Sequence, residues 1–412
     1  MRKMLIAIAF LSVWAYAQKE RTIRDADIKA GDQVRWSADT TWYIEGLVFV
    51  DSGATLTIDP GTVVKAKPSP AGNEGTALVI CRHAKINAQG TRKQPIIFTV
   101  EADDPANPYD DLEASADFGT SLYSLWGGVV LLGRAGLNST TGFEVLEGVD
   151  PNLGQQKIGF GGGLNPVNDD SSGVLRYVSI RFGGFELSGT KELNGLTMGG
   201  VGSKTVIEYV EVFQNSDDGF EWFGGTVNAR YLVSAFNQDD GFDWDYGYRG
   251  RLQYLFCVQR LPGDYSFELS GNPTSYSAQP YSIPVVSNVT ILTASQIQSS
   301  GAFILKEGSG GKFFNMVEHG AETPFIIQRN QTFNSLQQFA NGNLQAKNSQ
   351  FTAVLFPSES YLRDAGWYDS LAAWNSEYST GSQNHFRSLG TSYDSPRAAG
   401  SSTHRGFDLR PR

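Results

Sequence analysis

Asn215-Ser-Asp-Asp-Gly-Phe-Glu-Trp-Phe-Gly-Gly returns twenty-two residues later as Asn237-Gln-Asp-Asp-Gly-Phe-Asp-Trp-Asp-Tyr-Gly. A chain that repeats at so short a period completes one structural unit in that length, and units of about 20–50 residues stack into solenoids, propellers or arrays. Within the unit, Ile207 and Tyr209 alternate with Glu208, and then Val210 and Val212 alternate with Glu211. The apolar phase slips between Tyr209 and Val210, which marks a corner between two short strands. The polar run from Gln214 to Gly219 makes a turn, because Asn, Asp and Gly meet a turn's backbone needs. A third strand then puts Phe220 and Trp222 inward and Glu221 outward, before Gly224-Gly225 leads into the next unit. Three short strands in a coil of this length predict an all-β solenoid, a right-handed parallel β-helix. A four-stranded propeller blade needs about twice as many residues.

The repeat extends beyond its two best copies. Phe-acid pairs occur at Phe185-Glu186, Phe220-Glu221, Phe242-Asp243 and Phe267-Glu268, and later units keep the Phe without the acid at Phe303-Ile304 and Phe325-Ile326. Upstream of the acidic units stand Tyr177, Tyr209, Tyr231 and Tyr254 in matched places. Gly53 to Lys65 alternates around a Pro-Gly turn, Ala77 to Ile80, Ala84 to Asn87 and Pro95 to Thr99 supply a further coil, and Trp126 to Gly133 reads as a buried strand. The β-helix is therefore expected across residues 18–330, with inserted loops near 101–120 and 138–170, where function tends to sit. Beyond residue 330 the rhythm fades. Phe333–Phe339 and Tyr368–Tyr378 have helical character, with a strand-like run from Gln350 to Phe356 between them. Residues 331–412 are expected to form a small, partly helical C-terminal cap and a loosely held tail, since an uncapped solenoid exposes strand edges.

Residues 1–17 have the form of a signal peptide: Arg2 and Lys3, an apolar run from Met4 to Trp14, and the small-x-small site Ala15-Tyr16-Ala17. The apolar run is too short to span a bilayer, and export to the periplasm, outer surface or medium is expected. Without Arg2 and Lys3, thirty-one basic residues face forty-three acidic ones, a net charge of −12. Such a chain is a poor partner for nucleic acid or anionic membrane and a good one for cations. Cys81 and Cys257 are too few for a disulfide framework and read as buried, unpaired strand residues. With no such framework, stability falls to the core, and 46 glycines with 12% aromatics fit many turns between many short strands.

The acidic column is the sharpest chemical feature. With the phenylalanines stacked inward, Glu186, Glu221, Asp243 and Glu268 stack outward at the strand spacing of about 4.8 Å. Asp245 lies on the same face, and Asp217, Asp218, Asp239 and Asp240 lean over it from the preceding turns. Like charges so placed raise one another's pKa unless a cation neutralises them. Three readings fit: ordinary Asx turns; a hard-oxygen site for Ca²⁺ built from Asp218, Glu221, Asp240, Asp243 and Asp245; or acid–base catalysis by Asp217, Asp218, Asp239 and Asp240. Tyr246, Tyr248 and Arg249, set among glycines, are the exposed candidates for contacting a ligand together with Glu186 and Glu268. No nucleophile elbow, zinc-protease helix, EF-hand loop or phosphate loop is present.

Gly53 to Lys65, Ala84-Lys-Ile-Asn-Ala-Gln-Gly-Thr91 and the block Ser172 to Gly250, with its Asp-Asp-Gly-Phe and Asp-Tyr-Gly-Tyr-Arg-Gly, resemble the pectin-lyase-like right-handed β-helix superfamily. More narrowly they are similar to exported β-helix proteins of Bacteroidota-type bacteria. The resemblance spans roughly residues 40–330. It implies fold rather than activity, because this fold hosts lyases, hydrolases, esterases and adhesins. Two successive Asp pairs are similar to the polygalacturonase arrangement, but the His-Gly and Arg-x-Lys that family places further on are absent. Pectate lyases pair Ca²⁺-binding acids with an Arg or Lys base, for which Arg230, Arg249, Arg251 and Lys306 are at hand. The expectation is a surface or periplasmic binding or structural β-helix with an acidic, Ca²⁺-binding face and a polysaccharide partner. The alternative is a lyase or glycoside hydrolase using the same acids.

Overall fold

The computed structural model describes residues 19–68, 75–105, 124–188, 191–260, 263–293, 301–321, 325–327, 335–352 and 385–387. The proposed signal peptide, most of the 101–120 loop, the Tyr368–Tyr378 segment and the C-terminal tail lie outside them. Among the described residues no helix is long and apolar enough to cross a membrane.

Coils of parallel strands build two long sheets. Among the described residues one contains nine short strands, running from Leu47–Val50 through Ala77–Ile80, Val129–Leu132, Leu196–Gly199, Phe220–Phe223, Phe242–Asp245, Phe267–Leu269 and Phe303–Leu305 to Phe325–Ile327. The other contains sixteen among the same residues. In the early coils its two strands are separate, as in Thr55–Ile58 and Val63–Lys67. From Gly173–Arg181 onward they fuse into strands of eight or nine residues, the first of which pairs with two predecessors: Gly173–Arg176 with Ile86–Gln89, and Val178–Ile180 with Ile96–Phe98.

The fused strands bend at a single residue. Tyr177, Tyr209, Tyr231, Tyr254, Asn288 and Asn315 occupy this place in successive coils, with φ between 51° and 59°. One left-handed residue turns the strand without breaking it, and the expected corner therefore falls on Tyr209 itself. It also carries the tyrosine out of the core: the sequence alternation places Tyr209 inward with Ile207, whereas the ring is half-buried on the outside. There the four rings stack nearly parallel, with centroids 4.4, 4.4 and 4.8 Å apart. Asparagine, the residue that best tolerates this conformation, continues the column, and Asn315 Nδ2 donates to Asn288 Oδ1 at 3.3 Å.

Inside, Phe220, Phe242, Phe267 and Phe303 stack in register, with centroids 5.3, 4.9 and 4.7 Å apart. Trp222 and Trp244 form the neighbouring interior column, also fully buried. Below Phe220 the rung is Leu196, not Phe185. Phe185-Glu186 belongs instead to an excursion in which Glu186–Ser188 pairs antiparallel with Lys191–Glu192. The expected first acidic rung is thus corrected: Thr197, not Glu186, precedes Glu221 in the outward column. Cys81 and Cys257 are buried and free, and burial pushes both thiols up to about 12. The helix Ser335–Ala340 follows the last short strand.

Replacing Tyr209 separates backbone from stacking. Tyr209→Asn and Tyr209→Val both lose the ring contacts, but Val also carries the left-handed penalty, so it should be less stable than Asn by about 1–2 kcal/mol. Urea unfolding of the two variants reads the difference, and equal midpoints would deny the corner its conformational cost.

Candidate functional site

The turns before Phe220 and Phe242 are built one upon the other. The Asn215 amide donates to Asn237 Oδ1 at 2.9 Å, and Asn237 Nδ2 donates to Ser234 Oγ at 2.8 Å. The Asp240 amide donates to Asp218 Oδ1 at 2.9 Å, and the Tyr265 amide repeats this on Asp240 Oδ1 at 2.6 Å. Gly219 and Gly241 are required because a Cβ would press into the Asn237 amide and the Cys257 sulfur, respectively. The turn reading of Asn-x-Asp-Asp-Gly therefore accounts for one oxygen of each second aspartate.

It does not account for the charge. Glu221, Asp243 and Glu268 are in register on consecutive strands, with Asp245 in the next outward column beside Phe223. With the turn aspartates they form four overlapping triads whose ligating oxygens lie within 4.8 Å of one another: Asp217–Asp218–Asp239, Asp218–Glu221–Asp243, Asp239–Asp240–Asp264 and Asp240–Asp243–Glu268. Asp218, Glu221 and Asp240 are buried. Asp243 and Asp245 each hold one buried carboxylate oxygen without a hydrogen-bond partner. Lys306 pairs with Glu268, and Asn194 Nδ2 donates to Glu221 Oε2.

The opposite sheet shows how this chain handles a ladder of charges when it neutralises them. There Arg176, Glu208 and Arg230 are in register, and Glu208 accepts from Arg176 Nε at 3.0 Å and Arg230 Nε at 2.9 Å. Signs alternate in that column, whereas three acids follow one another in the other.

The electrostatic result is a set of carboxylates that resist ionisation. Burial, and then the charge of Asp239, lifts Asp217 to about 7; burial, and then Glu268 and Asp264, lifts Asp239 to about 6. Burial followed by neighbouring carboxylates holds Asp218, Glu221, Asp240 and Asp245 well above the usual range. Asp243 is raised for the same reasons, with Glu268 the leading neighbour and Lys306 opposing.

The structure thus brings together Asp217, Asp218, Glu221, Asp239, Asp240, Asp243, Asp245 and Glu268, and it adds Asp264, which the sequence pattern did not mark. It removes others. Tyr248 is not exposed: it is fully buried, its hydroxyl donates to the Val227 carbonyl at 2.9 Å, and its ring stacks on Trp222. Tyr246 is half-buried against Phe223. Arg249 is a structural pin, donating to the carbonyls of Gly136 and Gly247 and to Asn168 Oδ1 at 3.0–3.2 Å. Arg230 is held by Glu208 on the other sheet. Asn194 could not be singled out, since an Asn before Gly195 carries no signal beyond that of a turn.

These coils define a class. A family model described as a pectate-lyase-like β-helix domain matches residues 27–391, and the chain belongs to that family. Among solved structures, a pectin methylesterase in complex with a hexasaccharide is similar over 87% of this chain and 90% of its own, at 12% identity and a TM-score of 0.28. No curated protein matches the chain.

The raised carboxylates fix the sign of a pH effect. A carboxylate whose folded pKa lies above its unfolded value binds its proton more tightly in the native state. The associated stability is full at low pH and is lost as pH rises through about 6 and 7, where Asp239 and Asp217 titrate. In chelator, the melting temperature should fall by about 5 °C or more between pH 5 and pH 8, and Asp243→Asn should flatten that slope. Calorimetry at the two pH values checks this, and a melting point that rises toward pH 8 would contradict it.

Proposed function

We propose that the protein is an exported β-helix whose acidic face holds a divalent cation, best suited to Ca²⁺, and through it binds an acidic polysaccharide. The observation that carries this reading is the uncompensated column Glu221–Asp243–Glu268 above the Asp218 and Asp240 turns, where only one cationic side chain, Lys306, pairs among the described residues. Carboxylates buried without counter-ions lower the stability of the fold. A fold that can alternate charges elsewhere, and here does not, gains from a bound cation. Hard carboxylate oxygens in this number and spacing match the coordination Ca²⁺ takes. A cation held partly by protein keeps positions free for carboxylates of a glycan. Binding is favoured over catalysis because three of the four basic residues that a lyase could use are committed: Lys306 to Glu268, Arg230 to Glu208 and Arg249 to backbone carbonyls.

A second reading has one specific observation behind it. Asp217 and Asp239 titrate near neutrality, the range in which a carboxyl group serves as general acid or base. Under that reading the protein is a carbohydrate-active enzyme, and the two turn aspartates exchange the protons.

Two measurements separate these readings. In the binding reading, the mature chain cosediments with polygalacturonate or another uronic-acid polymer in Ca²⁺ and is released by chelator. The double variant Asp218→Asn, Asp240→Asn keeps the oxygens that accept the backbone amides but loses two charges. Its retention should fall about tenfold or more, and Ca²⁺ should no longer raise its melting temperature. Unchanged Ca²⁺ protection in that variant would refute the cation site. Appearance of unsaturated or reducing ends during incubation, abolished by Asp217→Asn, would establish the enzyme instead.

A further inference from the structure

The four acidic triads are two arrangements, each repeated one coil later. Asp218–Glu221–Asp243 becomes Asp240–Asp243–Glu268 on moving up one coil, along the strand register Glu221↔Asp243↔Glu268. The surroundings of the two copies differ. Asn194 stands two residues before its strand, as Asp218 and Asp240 stand before theirs, so the position below Asp218 carries an amide rather than a charge. Asn194 is 2% exposed, its Nδ2 donates to Thr197 Oγ1 and to Glu221 of the lower triad, and its Oδ1 is buried without a partner. A buried, unsatisfied amide oxygen is costly, and a cation bound beside Asn194 would reduce that cost. Beside the upper triad lies Lys306, bonded to Glu268 and acting on Asp243 as well. Above Glu268 the column turns apolar at Ile304.

We propose that Asp218–Glu221–Asp243, with Asn194 at its edge, is a single tight divalent-cation site, and that the Lys306 ammonium is a tethered cation filling the equivalent place in Asp240–Asp243–Glu268. This rests on the reading that the acidic face holds a cation. The chain carries one built-in positive charge and recruits the other from solution. Lys306 thereby sets the stoichiometry and keeps the bound ion at one end of the acidic row.

Equilibrium dialysis and titration calorimetry of the full mature chain with CaCl₂ at pH 8 test the assignment. Wild type should bind one tight equivalent, and Glu221→Gln should weaken it about tenfold or more. Lys306→Met should gain a second tight equivalent, whereas Lys306→Arg should stay at one. Asn194→Asp, which adds a carboxylate beside Glu221, should tighten the first equivalent. Melting curves in chelator at pH 5 confirm that each variant is folded. Two tight equivalents in wild type, unchanged affinity in Glu221→Gln, or one equivalent in Lys306→Met would each overturn the assignment while leaving a cation-binding face in place. No Ca²⁺ binding by wild type would remove the face itself.

Discussion

Every coil of this protein rests on the next in strict register, and that register decides the fate of each side chain. Parallel strands about 4.8 Å apart bring each residue close to its own counterpart in the adjacent coil. Similar residues therefore stack on similar residues. For phenylalanine and tyrosine this is favourable, and the rings of Phe242, Phe267 and Phe303 inside and of Tyr177 to Tyr254 outside settle at centroid separations of 4.4–4.9 Å. For charged residues the same geometry is costly unless signs alternate.

The two faces of the solenoid answer that problem differently. On the long-strand sheet, Arg176–Glu208–Arg230 neutralises itself within the column. On the short-strand sheet, Glu221–Asp243–Glu268 does not, and the turn aspartates add to the imbalance. The turns that carry them are nevertheless well bonded, since each second aspartate accepts a backbone amide from the following coil. The repeated motif thus serves architecture with one carboxylate oxygen and leaves the other outside these turn bonds.

The inner column was readable because phenylalanine marks its register five times in the sequence between Phe220 and Phe325, with Phe220, Phe242, Phe267 and Phe303 buried along it. The lower boundary was not. Leu196-Thr197-Met198 fills the rung by size and β-propensity alone, while Phe185-Glu186-Leu187 copies the motif outside the sheet. Tyr248 illustrates a second limit. A tyrosine between glycines has the composition of an exposed loop, yet Gly250 leaves room for the ring to lie flat under the turn, and its hydroxyl finds the Val227 carbonyl. Alternation likewise sent Tyr209 inward, because it carries no information about a left-handed residue that shifts the phase. Lys306 joins Glu268 across thirty-eight residues, and sequence spacing alone does not fix so distant a pairing.

The inserted segment between the strands Val129–Leu132 and Gly173–Arg181 is fastened by residues that come long after it. Asn138 donates to the Gly271 carbonyl, Asn272 donates back to Asn138, and Arg249 grips Gly136 and Asn168. These fastenings lie some 80 to 134 residues downstream. A chain emerging from its N-terminus can stack its early coils and pin part of this segment to them, through Lys157 on Asp25 and Arg82 on the Gly161 carbonyl, but the stretch around Asn138 stays unlatched until the coils bearing Arg249 and Asn272 have formed. Assembly is therefore not purely one-directional: the later turns reach back and close a door left open by the earlier ones.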